Sequence, residues 1–180
     1  MSSTRYMVIA DMDHMFSKNF EAKMISLAQK KLIQDPMTVL VYRIFEIADD
    51  VKIFPQTKND LVLLMKNDTA KEFRKPYTLY MWEPQFVSLR TIPFHDTSFY
   101  YSTKDNTVLR WEMCRAGFKF AIVNDVFMFH LGYKTPKKEK LDSGVKKLVK
   151  KKALKSLVEF NQRMDRLYPE TKSTCPKYKL

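Results

Sequence analysis

Only three glycines, Gly117, Gly132 and Gly144, are spread through the 180 residues, and that scarcity removes whole families of fold. A dinucleotide fingerprint or a P-loop needs closely spaced glycines so that backbone amides can approach phosphate. Any phosphate this chain handles must be held by side chains or by a metal. With 45% hydrophobic residues, the chain can bury one core of ordinary size, whereas two independent domains would each be small. No run approaches eighteen apolar residues, and the opening MSSTRYMVIADMDH passes straight into an apolar strand and carboxylates, unlike a signal peptide. The sequence as it stands thus carries no membrane span and no export signal, which gives a cytoplasmic expectation if the chain is complete.

The net charge of +12 is unevenly placed. Met1 to Tyr133 holds 17 Lys and Arg against 15 Asp and Glu, while Lys134 to Leu180 holds 15 against 5. In that basic stretch Leu141, Val145, Leu148, Leu154, Leu157, Val158, Met164 and Leu167 recur at three- and four-residue steps. This predicts an amphipathic helix with lysines on its outer face. A polyanion-binding patch would interleave aromatics with the lysines; none occurs between Lys134 and Lys155, so no nucleic-acid partner is expected.

Along the chain, Tyr6 to Ala10 is an apolar strand opening onto Asp11-Met12-Asp13. A helix follows from Phe20 to Leu32 and stops before Asp35-Pro36. Strands are predicted at Thr38 to Tyr42, Gln85 to Thr91, Phe118 to Val123 and Val126 to Phe129; helices at Asn59 to Lys66 and Asn106 to Ala116, the latter closed by Gly117. Mixed elements of this kind predict an α/β chain with one main sheet. Cys114 and Cys175 leave a single bridge open without arguing for it. The sequon Asn67-Asp68-Thr69 is an acceptor only in a chain that enters the secretory pathway.

The sharpest chemical feature is Asp11-x-Asp13 after an apolar strand. If the extended conformation persists, both carboxylates face one side and can hold a divalent cation at the carboxyl end of a strand, where ligands gather in open α/β sheets. Such a pair also arises by chance. The second feature is Phe129-His130-Leu131-Gly132-Tyr133-Lys134, again ending an apolar strand. His130 offers an imidazole to the same ion, Gly132 a close backbone approach, and Lys134 a charge for phosphate, although a lone histidine is more often structural. The third is Trp82-Glu83-Pro84-Gln85-Phe86 with Ile92-Pro93-Phe94-His95-Asp96: aromatic rings beside carboxylates suit a sugar site, and they suit a core equally well.

Taken in order, these residues resemble the catalytic half of a GT-A glycosyltransferase, and more closely glycosyltransferase family 49, which includes the β-1,4-glucuronyltransferases and the glucuronyltransferase domain of LARGE-type enzymes. The landmarks are Asp11-Met12-Asp13, Val39 to Ile47 with Phe45-Glu46, Lys58-Asn59-Asp60-Leu61, Trp82-Glu83-Pro84, Phe94 to Phe99, Glu112 with Ala116-Gly117-Phe118, and His130-x-Gly132-x-Lys134. The resemblance runs from Tyr6 to about Pro169. It implies a GT-A-like α/β fold, a mixed central sheet flanked by helices, lacking the first nucleotide-binding strands. It also implies inverting, Mn²⁺-dependent transfer of a sugar, glucuronic acid from UDP-glucuronate, to a glycan on a glycoprotein in protein O-mannosyl-type glycosylation in the Golgi. In that scheme Asp11, Asp13 and His130 hold the metal, Gly132 and Lys134 meet the donor, and Phe45, Glu46, Trp82 and Glu83 meet the acceptor. Asp96 of an Asp-x-x-Phe segment ending at Phe99 takes the acceptor proton. The expected organisation is a catalytic portion over 1–136, a lysine-rich helix over 137–168 packed on it, and a tail over 169–180.

The sequence also departs from the family. Thr97 and Ser98 stand where the family carries charged residues, Ser102-Thr103-Lys104-Asp105 replaces a Tyr-Gly-x-Asn-like element, and Arg43 replaces a proline. A truncated, inactive homologue that serves as a binding or folding partner is the alternative. A haloacid-dehalogenase-type phosphatase shares the Asp-x-Asp start, but it needs a later Gly-Asp pair, and no glycine here precedes an Asp.

Overall fold

A computed structural model describes residues 4–73, 82–99, 105–133 and 136–175, with side chains for all of these except 105, 106 and 136–151. Contacts divide the chain into two units: Met1–Arg74 with Pro84–Thr91 and Lys119–Tyr133, and Lys75–Glu83 with Ile92–Phe118 and Lys134–Leu180. The second of these units takes in the lysine-rich stretch from Lys134 onward together with 92–118.

The first unit is built on one mixed sheet. Its strands are β1 (Tyr6–Ile9), β2 (Met15–Phe16), β3 (Thr38–Ile47), β4 (Ala70–Glu72), β5 (Gln85–Leu89) and β6 (Lys119–Leu131). The order is β1-β5-β3-β6-β2, with β4 also against β3; among the described strands only β3 and β6 run parallel. Alternation on β3 explains the two cores. Leu40 and Tyr42 face helix α1 (Phe20–Lys31), packing with Met24, Ala28, Leu32, Val126 and Met128. Phe45 and Ile47 face the other way, toward Leu61 of helix α2 (Lys58–Lys66), with Phe127 and Phe129. Tyr42 also fastens β1, its hydroxyl donating to Ile9 O at 2.8 Å, and burial pushes that hydroxyl's pKa well above its ordinary value.

The two strands expected at 118–123 and 126–129 are a single one. Pairing steps from Tyr42 opposite Val123 to Arg43 opposite Phe127, so residues 124–126 form an insertion within β6. Arg43 Nε donates to Asn124 Oδ1 across that bulge at 3.1 Å. A bulge of this kind re-aims the side chains beyond it, here those of the stretch ending in His130.

The second unit holds α3 (Asp105–Arg115) and α4 (Pro136–Leu167), followed by a 3₁₀ turn at Pro169–Thr171. Phe99, Val108, Trp111, Phe160 and Met164 form its core. Gly117, at φ +86°, ends α3 in the left-handed conformation that glycine takes most readily. Arg115 is buried and caps the end of α4: its Nη2 donates to Met164 O at 3.0 Å and Tyr168 O at 2.7 Å, and its Nη1 pairs with Asp165 at 3.1 Å. Tyr168 O lies just past the last helical residue, whereas Met164 O also accepts from Tyr168 N at 2.9 Å. Beside it, Cys114 and Cys175 form a disulfide, with Cα atoms 6.0 Å apart.

Candidate functional site

The parallel register of β3 and β6 sets Glu46 directly beside His130, and the antiparallel register of β3 and β4 sets Glu46 beside Lys71. On the far side of β6, Met15 pairs with Phe129, so His14 comes next to His130. One row of side chains therefore crosses four segments: Lys71, Glu46, His130 and His14. Lys71 Nζ lies 3.1 Å from Glu46 Oε2, Glu46 Oε1 lies 4.0 Å from His130 Nε2, and the two imidazoles stack with centroids 5.6 Å apart. Glu46 and His14 are nearly enclosed, with side chains 5% and 4% exposed. The row lies on the face that Leu40, Tyr42 and Met128 present to α1, at the carboxyl ends of the parallel pair.

Asp11 and Asp13 join this row, though not by strand alternation. β1 ends at Ile9, and the chain turns through Asp11 to His14, with His14 N donating to Asp11 O at 3.4 Å. The expected extended conformation through Asp13 is replaced by this turn, and the turn is what brings both carboxylates to one point. His14 Nε2 lies 3.7 Å from Asp11 Oδ2 and 3.9 Å from Asp13 Oδ1. Burial lowers the His14 pKa; Asp11 and Asp13 pull it up and His130 pushes it down, and the net direction is downward. The ring is therefore held toward its neutral form, the form that binds metals. Its Nδ1 is buried with no hydrogen-bond partner.

Carboxylate oxygens and imidazole nitrogens are the donors that hard and borderline divalent cations accept, and the orphaned Nδ1 of His14 adds a polar atom awaiting a partner. The donor chemistry fits a divalent cation. Among the described residues, however, no three His, Cys, Asp or Glu side chains are drawn close enough to hold one as they stand.

The remaining expected residues are more scattered. Phe45 is buried in the core, edge-on to Phe127 at 5.9 Å, so its ring is occupied by packing rather than turned toward an acceptor. Glu46 stands behind His130. Gly132, at φ +84°, donates its N–H to Ile47 O at 2.8 Å, and the close neighbour on its open side is Asp49, whose Oδ1 would lie 3.0 Å from an added Cβ. Lys134 lies outside the described residues. Trp82 and Glu83 belong to the second unit and are half-buried; the Arg110 guanidinium sits 5.4 Å from the Trp82 ring centroid and 4.5 Å from that of Trp111.

Asp96, also in the second unit, has both oxygens engaged. Its Oδ1 accepts from Ser98 N at 3.0 Å and Ser98 Oγ at 2.6 Å, and its Oδ2 accepts from Arg163 Nη2 at 2.7 Å. Arg163 also grips Glu112, at 2.8 and 3.0 Å. Burial raises the Asp96 pKa, but the Ser98 hydrogen bonds and the Arg163 charge outweigh it and hold the carboxyl below its ordinary range. Sequence reasoning does not single out His14, Lys71 or Arg163. His14 adjoins the Asp-x-Asp pair and is within reach of such reasoning; the other two depend on pairings between distant segments.

These observations define an α/β chain with a polar cluster at strand ends. A family model described as glycosyl-transferase for dystroglycan matches residues 1–81 and 74–169, and the chain belongs to that family, glycosyltransferase family 49. Its mixed sheet with α1 and α2 on opposite faces agrees with the GT-A-like fold. The chain is similar to β-1,4-glucuronyltransferase 1 of Danio rerio, 24% identical over 162 aligned residues covering 72% of this chain and 37% of that protein. It thus spans little more than a third of that curated relative. Among the described residues no helix is long and apolar enough to cross a membrane.

Proposed function

We propose that the chain is the metal-binding and acceptor portion of an inverting glycosyltransferase that moves a sugar, glucuronic acid from UDP-glucuronate, onto a glycan of a glycoprotein in O-mannosyl-type glycosylation. The observation that supports this reading is that Asp11, Asp13 and His130 each neighbour the His14 ring, in a member of family 49. These three would hold Mn²⁺ or another divalent cation, with His14 between them. A cation bound there supplies Lewis-acid stabilisation to the departing diphosphate. With no glycine cradle in the sequence, Lys134 is left to share that charge, and Gly132 to let the chain pass closely.

Asp96 is the residue assigned to accept the acceptor hydroxyl's proton. Ser98 and Arg163 keep the carboxyl ionised and fix its orientation, and the same contacts lower its basicity. Trp82 and Glu83 are assigned to the acceptor sugar, the ring for stacking and the acid for hydroxyls. The Cys114–Cys175 bridge supports an oxidising compartment, in keeping with the Golgi lumen.

Calorimetry of UDP-sugars with and without Mn²⁺ tests the proposal, with Asp13→Ala as control. Mn²⁺-dependent heat for UDP-glucuronate, lost in the variant, is the expected result. No Mn²⁺-dependent heat for any UDP-sugar would instead favour the inactive homologue acting as a binding or folding partner.

A further inference from the structure

The sequon Asn67-Asp68-Thr69 stands where α2 ends, and the function proposed above makes no use of it. Thr69 N donates to Leu64 O at 3.0 Å and Asp68 N to Met65 O at 3.2 Å, with Asp68 at φ +55°. This is the hydrogen-bond pattern of a helix closed by one left-handed residue. The closure separates the two ends of the sequon. Thr69 is half-buried: its hydroxyl donates to Leu64 O at 3.1 Å, and its carbonyl accepts from Ala48 N at 2.9 Å as the chain enters β4. Asn67 is left exposed on the shoulder of the helix.

Two further observations bear on that exposed amide. The first is the Cys114–Cys175 bridge, which pairs the chain's two cysteines. Disulfides persist in oxidising compartments, the secretory lumen among them, and that is where a sequon is read. Bridge and sequon lie in different units of the fold and arise independently. The second is the outer face of α2. Leu63, whose carbonyl accepts from Asn67 N at 3.2 Å, stands one turn earlier on the same face and is 59% exposed, and Val62 and Met65 beside it are exposed as well. Leu61 and Leu64 fill the core from the inner side of the helix, so these three have no packing role there. A contiguous apolar patch of this kind is one that a soluble surface rarely leaves bare.

We propose that Asn67 carries an N-linked oligosaccharide, rooted beside the apolar outer face of α2. Its donor is a polyprenyl-diphosphate-linked oligosaccharide. Asn67 Nδ2 attacks the anomeric carbon of that donor; a C–N bond forms as the C–O bond to the diphosphate breaks. The lipid diphosphate leaves with the bonding pair, and one amide proton passes to the transferring enzyme. The product is a bulky, solubilising group at the end of α2, one turn from Leu63, where it keeps other chains off Val62, Leu63 and Met65. The proposal rests on the bridge and on the exposure of Asn67. It does not rest on sugar transfer by this chain, so either reading can fail without the other.

The test uses the protein isolated from the cells that make it. Digestion with peptide N-glycosidase in H₂¹⁸O releases the glycan and leaves an ¹⁸O-labelled aspartate, and peptide mass spectrometry should find that label at residue 67, absent when the enzyme is omitted. Thr69→Ala removes the sequon's hydroxyl and should abolish the label, whereas Thr69→Ser retains a hydroxyl and should retain it. Spontaneous deamidation of Asn67 would not depend on the enzyme. Removing the glycan from the folded protein should also raise binding of an apolar dye and self-association in sedimentation, and Leu63→Ser should cancel much of that rise. An unlabelled Asn67 in the unsubstituted protein overturns the proposal, and no variant has to fold for that result to count. A label that persists in Thr69→Ala overturns it too. Dye binding and sedimentation that ignore removal of the glycan would overturn its covering of α2.

Discussion

Arg163 holds two carboxylates at once: its Nη2 donates to Asp96 Oδ2 at 2.7 Å, and the same guanidinium reaches Glu112 at 2.8 and 3.0 Å. One positive charge thus joins the Asp-x-x-Phe segment, α3 and α4. Removing it takes away the guanidinium that two carboxylates, 17% and 5% exposed, share. Arg163→Met should therefore cost about 2–3 kcal/mol at pH 7. The pH dependence comes from the direction of the Asp96 shift. Its folded pKa lies below the ordinary 3.8, so its contribution is fully present above that value and is lost as pH falls through the folded pKa. Urea midpoints at pH 7 and on the acid side should show the variant losing less stability on acidification. Equal midpoints for the two proteins at pH 7 would remove the ion pair from any account of stability.

Asp96→Asn keeps the side chain's shape and one acceptor oxygen, but the amide cannot take a proton. With donor and Mn²⁺ saturating, turnover should fall by about 10²–10⁴ while donor affinity stays unchanged. Near-normal turnover would end the base assignment and leave Asp96 as Arg163's structural partner.

How much of this is legible in the sequence depends on distance along the chain. The helices at 20–31, 58–66 and 105–115 follow from local periodicity to within a residue or two. β2 and β4 have two and three residues, too few to show any period, so Lys71 and the placement of His14 are invisible in sequence. The gap at Asn124-Asp125 is visible and reads as a break between strands; it is an insertion that one long strand absorbs because β3 holds it on both sides. Asp11, Asp13 and His130 stand out by residue type and position after apolar runs, and in the fold each of them neighbours His14. Their exact approach is not readable, because a turn, not the strand, aligns the two aspartates. Phe45 enters the acceptor set through the resemblance alone, and its packing against Leu61, Phe127 and Phe129 depends on segments far away in sequence. The links from Arg163 to Asp96 and Glu112 span 67 and 51 residues, beyond any local rule.

Gly132 and Gly117 form a matched pair for separating backbone strain from crowding. Both have positive φ, +84° and +86°, but an added Cβ meets nothing within 4 Å at Gly117 and meets Asp49 Oδ1 at 3.0 Å at Gly132. Gly117→Ala should cost about 1–2 kcal/mol for the left-handed conformation alone. Gly132→Ala should cost more, and the excess should vanish when Asp49→Ala is added, because the obstacle is the end of a side chain. Thermal midpoints of the three variants and the double variant decide this. An excess that survives the loss of Asp49 would place the strain in the backbone of the β6 exit.

The Cys114–Cys175 bridge closes a loop across 61 residues of sequence, and it joins the end of α3 to the segment after α4. By the chain-entropy model, a loop of that length restrains the unfolded state by roughly 4 kcal/mol. Arg115 already ties the same two regions together through Met164 O, Tyr168 O and Asp165, so the native state has a second fastening and should survive reduction, weakened rather than lost. Paired Cys114→Ser and Cys175→Ser substitutions should lower the urea midpoint in oxidising buffer and abolish its response to reductant. Adding Arg115→Met to that background should then unfold the 3₁₀ turn and the end of α4, read as the loss of amide-exchange protection at Tyr168 and at position 175. Unchanged protection there would mean that the apolar contacts of Phe160 and Met164 suffice to hold the terminus without either fastening.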